Sequence, residues 1–294
     1  MLHNVKSNYK SLDMLQKIIV VNAIIYLFVN LGDVLLRLFN FPDGTLSGFL
    51  TDWLAVPSSV KSLLYRPWTL ITYSFYHENF LHILFNMLWL FFMGRLFTEY
   101  LGEKKLLPLY LVGGLCGSVL FIVFYNLFPL FSREVDIAVA LGASASVLAI
   151  TVAIATLLPD YEVGLFLPQW RVKLKYIAIA LFVIDLLSIT GNNAGGNIAH
   201  IGGAIFGFIY IKQLKKGRDL TGWLQRLIEK ITQKKKPSIK VVYRKDASDE
   251  SYHNKKANNQ EAIDKILDKI SRSGYASLTY EERDILFKAS KNQD

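Results

Sequence analysis

FLHILFNMLWLFFMGRLFTEY, residues 80–100, is followed after a short break by LLPLYLVGGLCGSVLFIVFYNLF, residues 106–128. Each stretch reaches the roughly 20 apolar residues that an α-helix needs to cross the hydrocarbon core of a bilayer. The break contains Lys104 and Lys105, which predicts a polar turn at one membrane surface. The pair therefore indicates a protein that crosses a membrane more than once.

Four further apolar stretches extend this pattern. Together the six predict an all-α fold, a polytopic membrane helical bundle of six transmembrane helices: Lys17–Phe39, Phe80–Tyr100, Leu106–Phe128, Ala143–Leu158, Lys175–Ile189 and Asn197–Leu214. The fourth and fifth are short, so we expect their neighbours to shield them. The first contains Asn22, Asn30 and Asp33 and lacks a small-residue cleavage site, which argues against a signal peptide.

Charge is distributed unevenly along the chain. Hydrophobic residues make up 52% of the sequence and charged residues only 19%, and the charges concentrate in residues 212–294. The net charge of +9 does not indicate nucleic-acid binding, because the basic residues flank the spans on one side. This bias predicts a multi-pass protein of the cell (inner) membrane, surrounded by lipid bilayer, with both termini cytoplasmic. The single cysteine, Cys116, excludes an intramolecular disulfide.

The chain divides into four predicted segments. Residues 1–16 form a cytoplasmic N-terminal segment, 17–214 the membrane domain, 215–258 a basic juxtamembrane helix and a linker that is disordered over residues 244–258, and 259–294 a small helical hairpin. The juxtamembrane helix has an apolar stripe among lysines and arginines, which is typical of helices on anionic membrane surfaces. The hairpin is expected to pack or to dock a cytoplasmic partner, without chemistry of its own.

Three histidines, His77, His82 and His200, lie in or beside predicted spans, where ionisable side chains are costly and often functional. His77 and His82 are five residues apart, which turns them by about 140° on a helix and disfavours a shared metal ion. We therefore expect no metal and no cofactor. His82 and Asn86 are four apart, so they share a helix face and can direct hydrogen-bond donors into one cavity. An oxyanion hole needs such donors.

Gly142-Ala143-Ser144 opens the fourth span. Ser144 is predicted at a helix N-terminus, where free N–H groups favour an anion such as the tetrahedral intermediate of acyl transfer. Gly142 permits unusual backbone dihedral angles before it. Gly-x-Ser alone is common, and serine often merely caps a helix. Ser146, two residues on, is expected to face elsewhere.

Two small-residue faces occur on the fourth and sixth spans. They consist of Ala145, Ala149 and Ala153 on the fourth, and of Ala199, Gly203 and Gly207 on the sixth. Faces of this kind let helices pack closely in a membrane. If these two meet, Ser144 and His200 come within hydrogen-bond reach, which is the arrangement that activates a serine nucleophile.

These motifs closely resemble those of the rhomboid intramembrane serine proteases. The family's patterns His-x4-His-x3-Asn, Gly-x-Ser and Ala-His-x2-Gly-x3-Gly match His77, His82, Asn86, Gly142, Ser144, Ala199, His200, Gly203 and Gly207, in order, on three separate spans. A structural segment of the family is similar to Gly94, Arg95, Glu99 and Gly102. The chain departs at Ala145, where the family commonly has glycine, and at Leu148, where an aromatic residue usually stacks on the histidine.

The resemblance implies a rhomboid-like protease domain over 17–214, a serine endopeptidase that cleaves transmembrane segments of membrane-protein substrates at an outer-side active site. Ser144 would be the nucleophile and His200 the general base and acid, as a dyad. His82, Asn86 and the Ser144 backbone N–H would form the oxyanion hole, with four residues structural near the site: His77, Gly142, Gly203 and Gly207. Asp185, in the fifth span, is interpreted as a polar contact between helices.

Two other classes of protein also place polar residues in membrane spans. A catalytically silent relative would bind membrane clients without cutting them, but the intact Ser144 and His200 argue against it. A transporter would use polar membrane residues as a pathway, but such proteins often contain internal repeats, and none is evident here. Reaction with a serine-directed fluorophosphonate would separate the protease from both.

Overall fold

A computed structural model describes residues 12–164, 171–232 and 247–291 of the chain. The helices in order are α1 Met14–Leu38, α2 Thr45–Leu54, α3 Val60–Tyr65, α4 Thr69–Thr72, α5 Phe80–Leu101, α6 Leu106–Leu127, α7 Ser144–Leu157, α8 Leu174–Leu187, α9 Ala194–Leu214, α10 Gly222–Thr232, α11 Ala247–Ser273 and α12 Tyr280–Lys291. Two short antiparallel pairs join β1 Val56–Pro57 to β2 Val139–Ala140 and β3 Glu162–Gly164 to β4 Arg171–Lys173. The single-turn 3-10 helices are Tyr73–Phe75, Glu103–Lys105, Pro129–Phe131 and Tyr275–Ser277.

All six predicted spans are helices, namely α1, α5, α6, α7, α8 and α9. Within the described residues, α1, α5, α6 with the turn before it, and α9 are long and apolar enough to cross a membrane. Helices α7 and α8 have 14 residues each, which at 1.5 Å per residue is about 21 Å. The chain is therefore a polytopic helical bundle with two short members, as the sequence predicted.

The two short helices are shielded to different degrees. Helix α7 lies at the centre, in contact with α5, α6, α8 and α9, and eleven of its residues are buried. Helix α8 buries only Leu174, Ile177, Ala178 and Asp185. The prediction of shielding is thus confirmed for α7 and wrong for α8, which exposes a broad apolar face.

Close backbone contact brings α9 against α7. A β-carbon added to Gly203 would overlap the carbonyl oxygen of Ala145, and one added to Gly207 would overlap that of Ala149. Side chains larger than hydrogen at these positions would hold the helices apart. The predicted meeting of the two small-residue faces is confirmed, and it fixes α9 beside the start of α7.

The connection between α1 and α5 folds over the end of the bundle at which α7 begins. Strand β1 pairs with β2, which leads into α7. The rings of Trp53 and Trp68 stack with centroids 5.7 Å apart, and Trp68 Nε1 donates to the Trp53 carbonyl oxygen at 2.9 Å. Large apolar side chains such as Phe49 and Leu64 stay exposed, which is typical of a segment lying in a membrane interface.

The chain divides into two compact units, and the described residues 247–291 belong to the second. The predicted hairpin is present as α11 and α12. A capping box opens α12, since Thr279 N donates to Glu282 Oε2 at 2.7 Å and Glu282 N donates to Thr279 Oγ1 at 3.3 Å. Lys269 Nζ binds Glu282 Oε1 at 2.8 Å and ties the two helices together.

Two predictions next to the hairpin had different outcomes. The disordered linker over residues 244–258 is wrong from Ala247 onward, because α11 begins there; residues 244–246 lie outside the described chain. Polar composition suggested disorder, but alanine, glutamate and lysine also favour a helix. A helix is present where the juxtamembrane helix was predicted, as α10, and it exposes Trp223, Leu227 and Ile231. Its place at a membrane surface stays a prediction.

Candidate active site

Ser144 is the first residue of α7, as predicted. The turn before it depends on Gly142, whose φ of 111° lies in a region that side chains rarely adopt. A β-carbon at Gly142 would also lie 2.7 Å from Nε2 of His82. Glycine is therefore needed twice over, for the turn and for the close approach of the His82 ring.

His77 holds the same turn from the other side. Its Nε2 accepts a hydrogen bond from the Ala143 N–H at 3.1 Å, and its side chain is buried. Burial, with a smaller contribution from His82, lowers the pKa of His77 to about 3. His77 is therefore neutral at physiological pH, which leaves a ring nitrogen free to accept this hydrogen bond.

The side chains of Ser144 and His200 meet across the contact between α7 and α9. His200 Nε2 lies 2.6 Å from Ser144 Oγ, and both residues are half-buried. A serine hydroxyl within hydrogen-bond distance of an imidazole can lose its proton to that ring as it attacks a substrate. The structure thus brings together the two residues that the sequence singled out for catalysis.

Asp185 of α8 contacts the other nitrogen of the His200 ring. Its Oδ1 lies 2.8 Å from His200 Nδ1, and the aspartate is 8% exposed. The contact joins two helices, as expected, but the sequence did not indicate His200 as the partner. A signal was available, since Asp185 and His200 are both ionisable residues inside spans, and their spans are consecutive and joined by a short loop.

His82 and Asn86 share one face of α5, as predicted. Asn86 Nδ2 donates to the His82 carbonyl oxygen at 2.8 Å, and both side chains line a cavity that also includes Ser144 and His200. Ser146 points away from this cavity. Its Oγ is buried next to Gly114 of α6 and has no hydrogen-bond partner among the described residues, so Ser146 faces elsewhere, as expected.

Ser144, Asn86 and His200 lie where two cavities meet. The first is a polar cavity of about 550 Å³, whose lining includes Glu78, Asn79 and Asn193. The second is an apolar groove of about 300 Å³ between α5 and α8, lined mainly by Phe85, Leu88, Trp89, Val147, Leu148, Leu181 and Ile184. Among the described residues, no cluster of His, Cys, Asp or Glu side chains could hold a metal ion.

Comparisons with known proteins identify the family to which the membrane region belongs. Residues 65–216, slightly more than half of the chain, match the family model described as Rhomboid domain. Residues 247–292 match a second model, DUF6576, described as a family of unknown function. The second match covers α11 and α12, so the helical unit recurs in other proteins.

Individual relatives match over the same membrane region. RHOMBOID-like protein 12, mitochondrial, of Arabidopsis thaliana is 35% identical over 161 residues, 51% of this chain and 47% of that protein. Rhomboid protease AarA of Providencia stuartii is 32% identical over 143 residues, 45% of this chain and 50% of that protein. The chain thus spans about half the length of these curated relatives. With a family match over more than half of its residues, the chain belongs to the rhomboid family.

Proposed function

We propose that this protein is an intramembrane serine endopeptidase that cleaves transmembrane segments of other membrane proteins. The observation that carries the proposal is the 2.6 Å contact between Ser144 Oγ and His200 Nε2, at the junction of a polar cavity and an apolar groove. The names of relatives such as Rhomboid protease AarA support the same reaction class.

Ser144 acts as nucleophile and His200 as base, then acid. Oγ adds to the scissile carbonyl carbon while its proton passes to His200 Nε2, and the carbonyl oxygen becomes an oxyanion. The intermediate then collapses: the C–N bond breaks, and Nε2 returns the proton to the leaving amine. An acyl ester on Ser144 remains. Water from the polar cavity then attacks this ester and gives a proton to His200. His200 returns the proton to Ser144 Oγ as the ester bond breaks and a carboxylic acid is released.

The oxyanion is stabilised by hydrogen-bond donors at the mouth of the polar cavity. We assign this role to the His82 ring, the Asn86 amide and the Ser144 backbone N–H. The last of these lies at the start of α7, where N–H groups have no partner within the helix. Donors preorganised in a site with little water stabilise developing charge more strongly than water does.

The apolar groove supports the proposal that the substrate enters the site from within the bilayer. Its rim residues Phe85, Leu88 and Ile184 are 62%, 47% and 59% exposed, so lipid would cover them in a membrane. A substrate helix entering between α5 and α8 would replace lipid with protein at little cost and reach Ser144 from the side. The polar cavity then supplies the water for hydrolysis of the scissile bond, which water would not reach in the lipid.

The proposed function is tested by comparing membrane-protein fragments in cells that carry wild-type protein or the Ser144→Ala variant. Fragments that end within or beside a transmembrane segment should appear only with the wild type. Identical fragment sets would instead favour a silent relative that binds membrane clients without cutting them.

Asn86→Ala is expected to lower kcat while KM changes little, because the amide acts on the transition state. Loss of one oxyanion donor typically costs roughly 10²–10³-fold in rate. Kinetics on a transmembrane substrate in liposomes measure the effect. Thr156→Ala is the control, since Thr156 Oγ1 also donates to a carbonyl four residues earlier in its helix, at 2.7 Å, but lies remote from Ser144. An unchanged kcat for Asn86→Ala would remove Asn86 from the oxyanion hole.

We further propose that the protein lies in the cell (inner) membrane with both termini cytoplasmic and the polar cavity facing outward. The hairpin of α11 and α12 would then be available to a cytoplasmic partner. Support comes from the basic residues that flank the spans on one side.

Cysteine accessibility in a Cys116→Ser background tests this orientation. Ser132, between α6 and β2, and Arg218, after α9, are both exposed. A membrane-impermeant maleimide should label Ser132→Cys in intact cells but reach Arg218→Cys only after permeabilisation. The reverse pattern would overturn the topology.

A further inference from the structure

We propose that Asp185 is a positioning residue of the active site, whose carboxylate orients His200 so that its Nε2 can take the proton of Ser144. The inference rests on the proposed protease function and deepens it. It extends the reacting pair of Ser144 and His200 to a chain of three side chains, one each from α7, α9 and α8.

Both nitrogens of the His200 ring are engaged in this chain. Nδ1 lies 2.8 Å from Asp185 Oδ1, and Nε2 lies 2.6 Å from Ser144 Oγ. A carboxylate can only accept a hydrogen bond, so the proton of the neutral ring belongs on Nδ1. Nε2 then directs its lone pair at the serine hydroxyl. When that proton arrives on Nε2, the ring becomes positive beside the negative carboxylate.

The surroundings of Asp185 argue against a merely structural role. The side chains of Asp185 and His200 are 11% and 21% exposed, and Asp185 lines the apolar groove beside Leu181 and Ile184. Placing a carboxylate there is costly unless a partner compensates for its lost hydration. An aliphatic residue would pack α8 against α9 without that cost. A carboxylate is useful at this position because His200 becomes positive during the reaction.

Leu148 gives a second reason why His200 needs this support. It lies one turn after Ser144 and lines the groove together with His200 and Asp185. An aliphatic side chain neither hydrogen-bonds the imidazole nor stacks on it as an aromatic ring does. Orientation of the ring therefore depends on the hydrogen bond from α8.

A structural tie between α8 and α9 is the alternative, and the chain offers a matched control for it. Asn197 Nδ2 donates to the carbonyl oxygen of Ser188, the C-cap residue of α8, at 2.7 Å. This hydrogen bond joins α9 to the end of α8 and does not involve His200. Asn197→Ala removes that hydrogen bond and does not change the contacts of the His200 ring. A structural role predicts similar effects for Asp185 and Asn197, whereas a positioning role predicts different ones.

The experiment compares wild type, Asp185→Asn and Asn197→Ala as purified full-length proteins, measured for kcat, KM and thermal stability. Asp185→Asn is expected to lower kcat by about 10²–10⁴-fold with little change in KM, because its amide can donate to Nδ1 and leave the ring proton on Nε2. Asn197→Ala is expected to lower the melting temperature and keep kcat. Parallel losses of stability and kcat in both variants would overturn the proposal.

The rate of fluorophosphonate labelling adds a readout that a structural tie would not move. Asp185→Asn is expected to label Ser144 at least about tenfold more slowly than the wild type, because its side chain no longer holds the His200 ring in the tautomer that accepts the serine proton. Asn197→Ala should label at the wild-type rate. Equal labelling rates for the wild type and Asp185→Asn would contradict the proposal.

Two further comparisons distinguish a failure of the positioning role from a failure to fold and from a failure of the proposed protease function. If Asp185→Asn does not fold, Asp185→Glu and Asp185→Gln form a pair of equal size, and the glutamate variant should label at least about tenfold faster. Equal labelling of that pair would overturn the positioning role. A wild type that does not label at all would refute the proposed function itself, whereas a labelling wild type with an equally reactive Asp185→Asn would refute only this inference.

Discussion

Ser144→Ala is expected to abolish cleavage of transmembrane substrates while the protein stays folded. Removing the nucleophile of a serine protease lowers kcat by about 10⁴–10⁶-fold. Folding should survive because Ser144 Oγ contacts His200, while the cap position of α7 belongs to Ala143. Kinetics in liposomes and a thermal melt on the same preparation measure both properties.

Ser146→Ala is the control for this variant. Its hydroxyl is only two residues away, yet it is buried without a hydrogen-bond partner and points toward α6. We expect near-normal turnover. His200→Ala should be as inactive as Ser144→Ala, but less stable, because it leaves Asp185 buried without its partner. Wild-type turnover in Ser144→Ala or His200→Ala would rule out the reacting pair.

Gly203→Leu is expected to destroy activity although Gly203 takes no part in the chemistry. Any β-carbon there overlaps the carbonyl oxygen of Ala145, the neighbour of Ser144. Overpacking of this kind typically costs about 1–3 kcal/mol of stability. The catalytic loss should be larger, because a displacement of about 1 Å at the reacting atoms can cost roughly 10²-fold in rate.

The test measures melting temperature and fluorophosphonate labelling on the same purified variant. Gly48→Leu is the matched control, since Gly48 also lies in a helix but a β-carbon there has nothing within 4 Å. It should label normally. Folded Gly203→Leu with normal labelling would mean that the contact between α7 and α9 does not set the distance from Ser144 to His200.

The helices and the pairing of Ser144 with His200 could be predicted because strong local signals specify them. Long apolar runs define α5 and α6, and small residues four apart define the faces by which α7 and α9 meet. Contact at those faces brings Ser144 and His200 together, so the geometry of the pair follows from side-chain size on two helices.

Other features depend on tertiary contacts, which produce weaker patterns in the amino-acid sequence. Strands β1 and β2 have two residues each, too few for an alternating pattern. The exposure of α8 depends on which helices pack against it, and its amino-acid composition does not specify those neighbours. The pairing of Asp185 with His200 depends on the rotation of α8 about its axis. The early start of α11 was missed because a polar run is compatible with both an exposed helix and a disordered segment.

The central claim is that His200 activates Ser144, and mass spectrometry of the protein after reaction with a fluorophosphonate tests it most directly. We expect one covalent adduct on the wild type, located on Ser144 and absent from Ser146. In His200→Ala the adduct should form at least about 10³-fold more slowly. An adduct elsewhere in the chain, or labelling of Ser144 at the same rate without His200, would contradict the account.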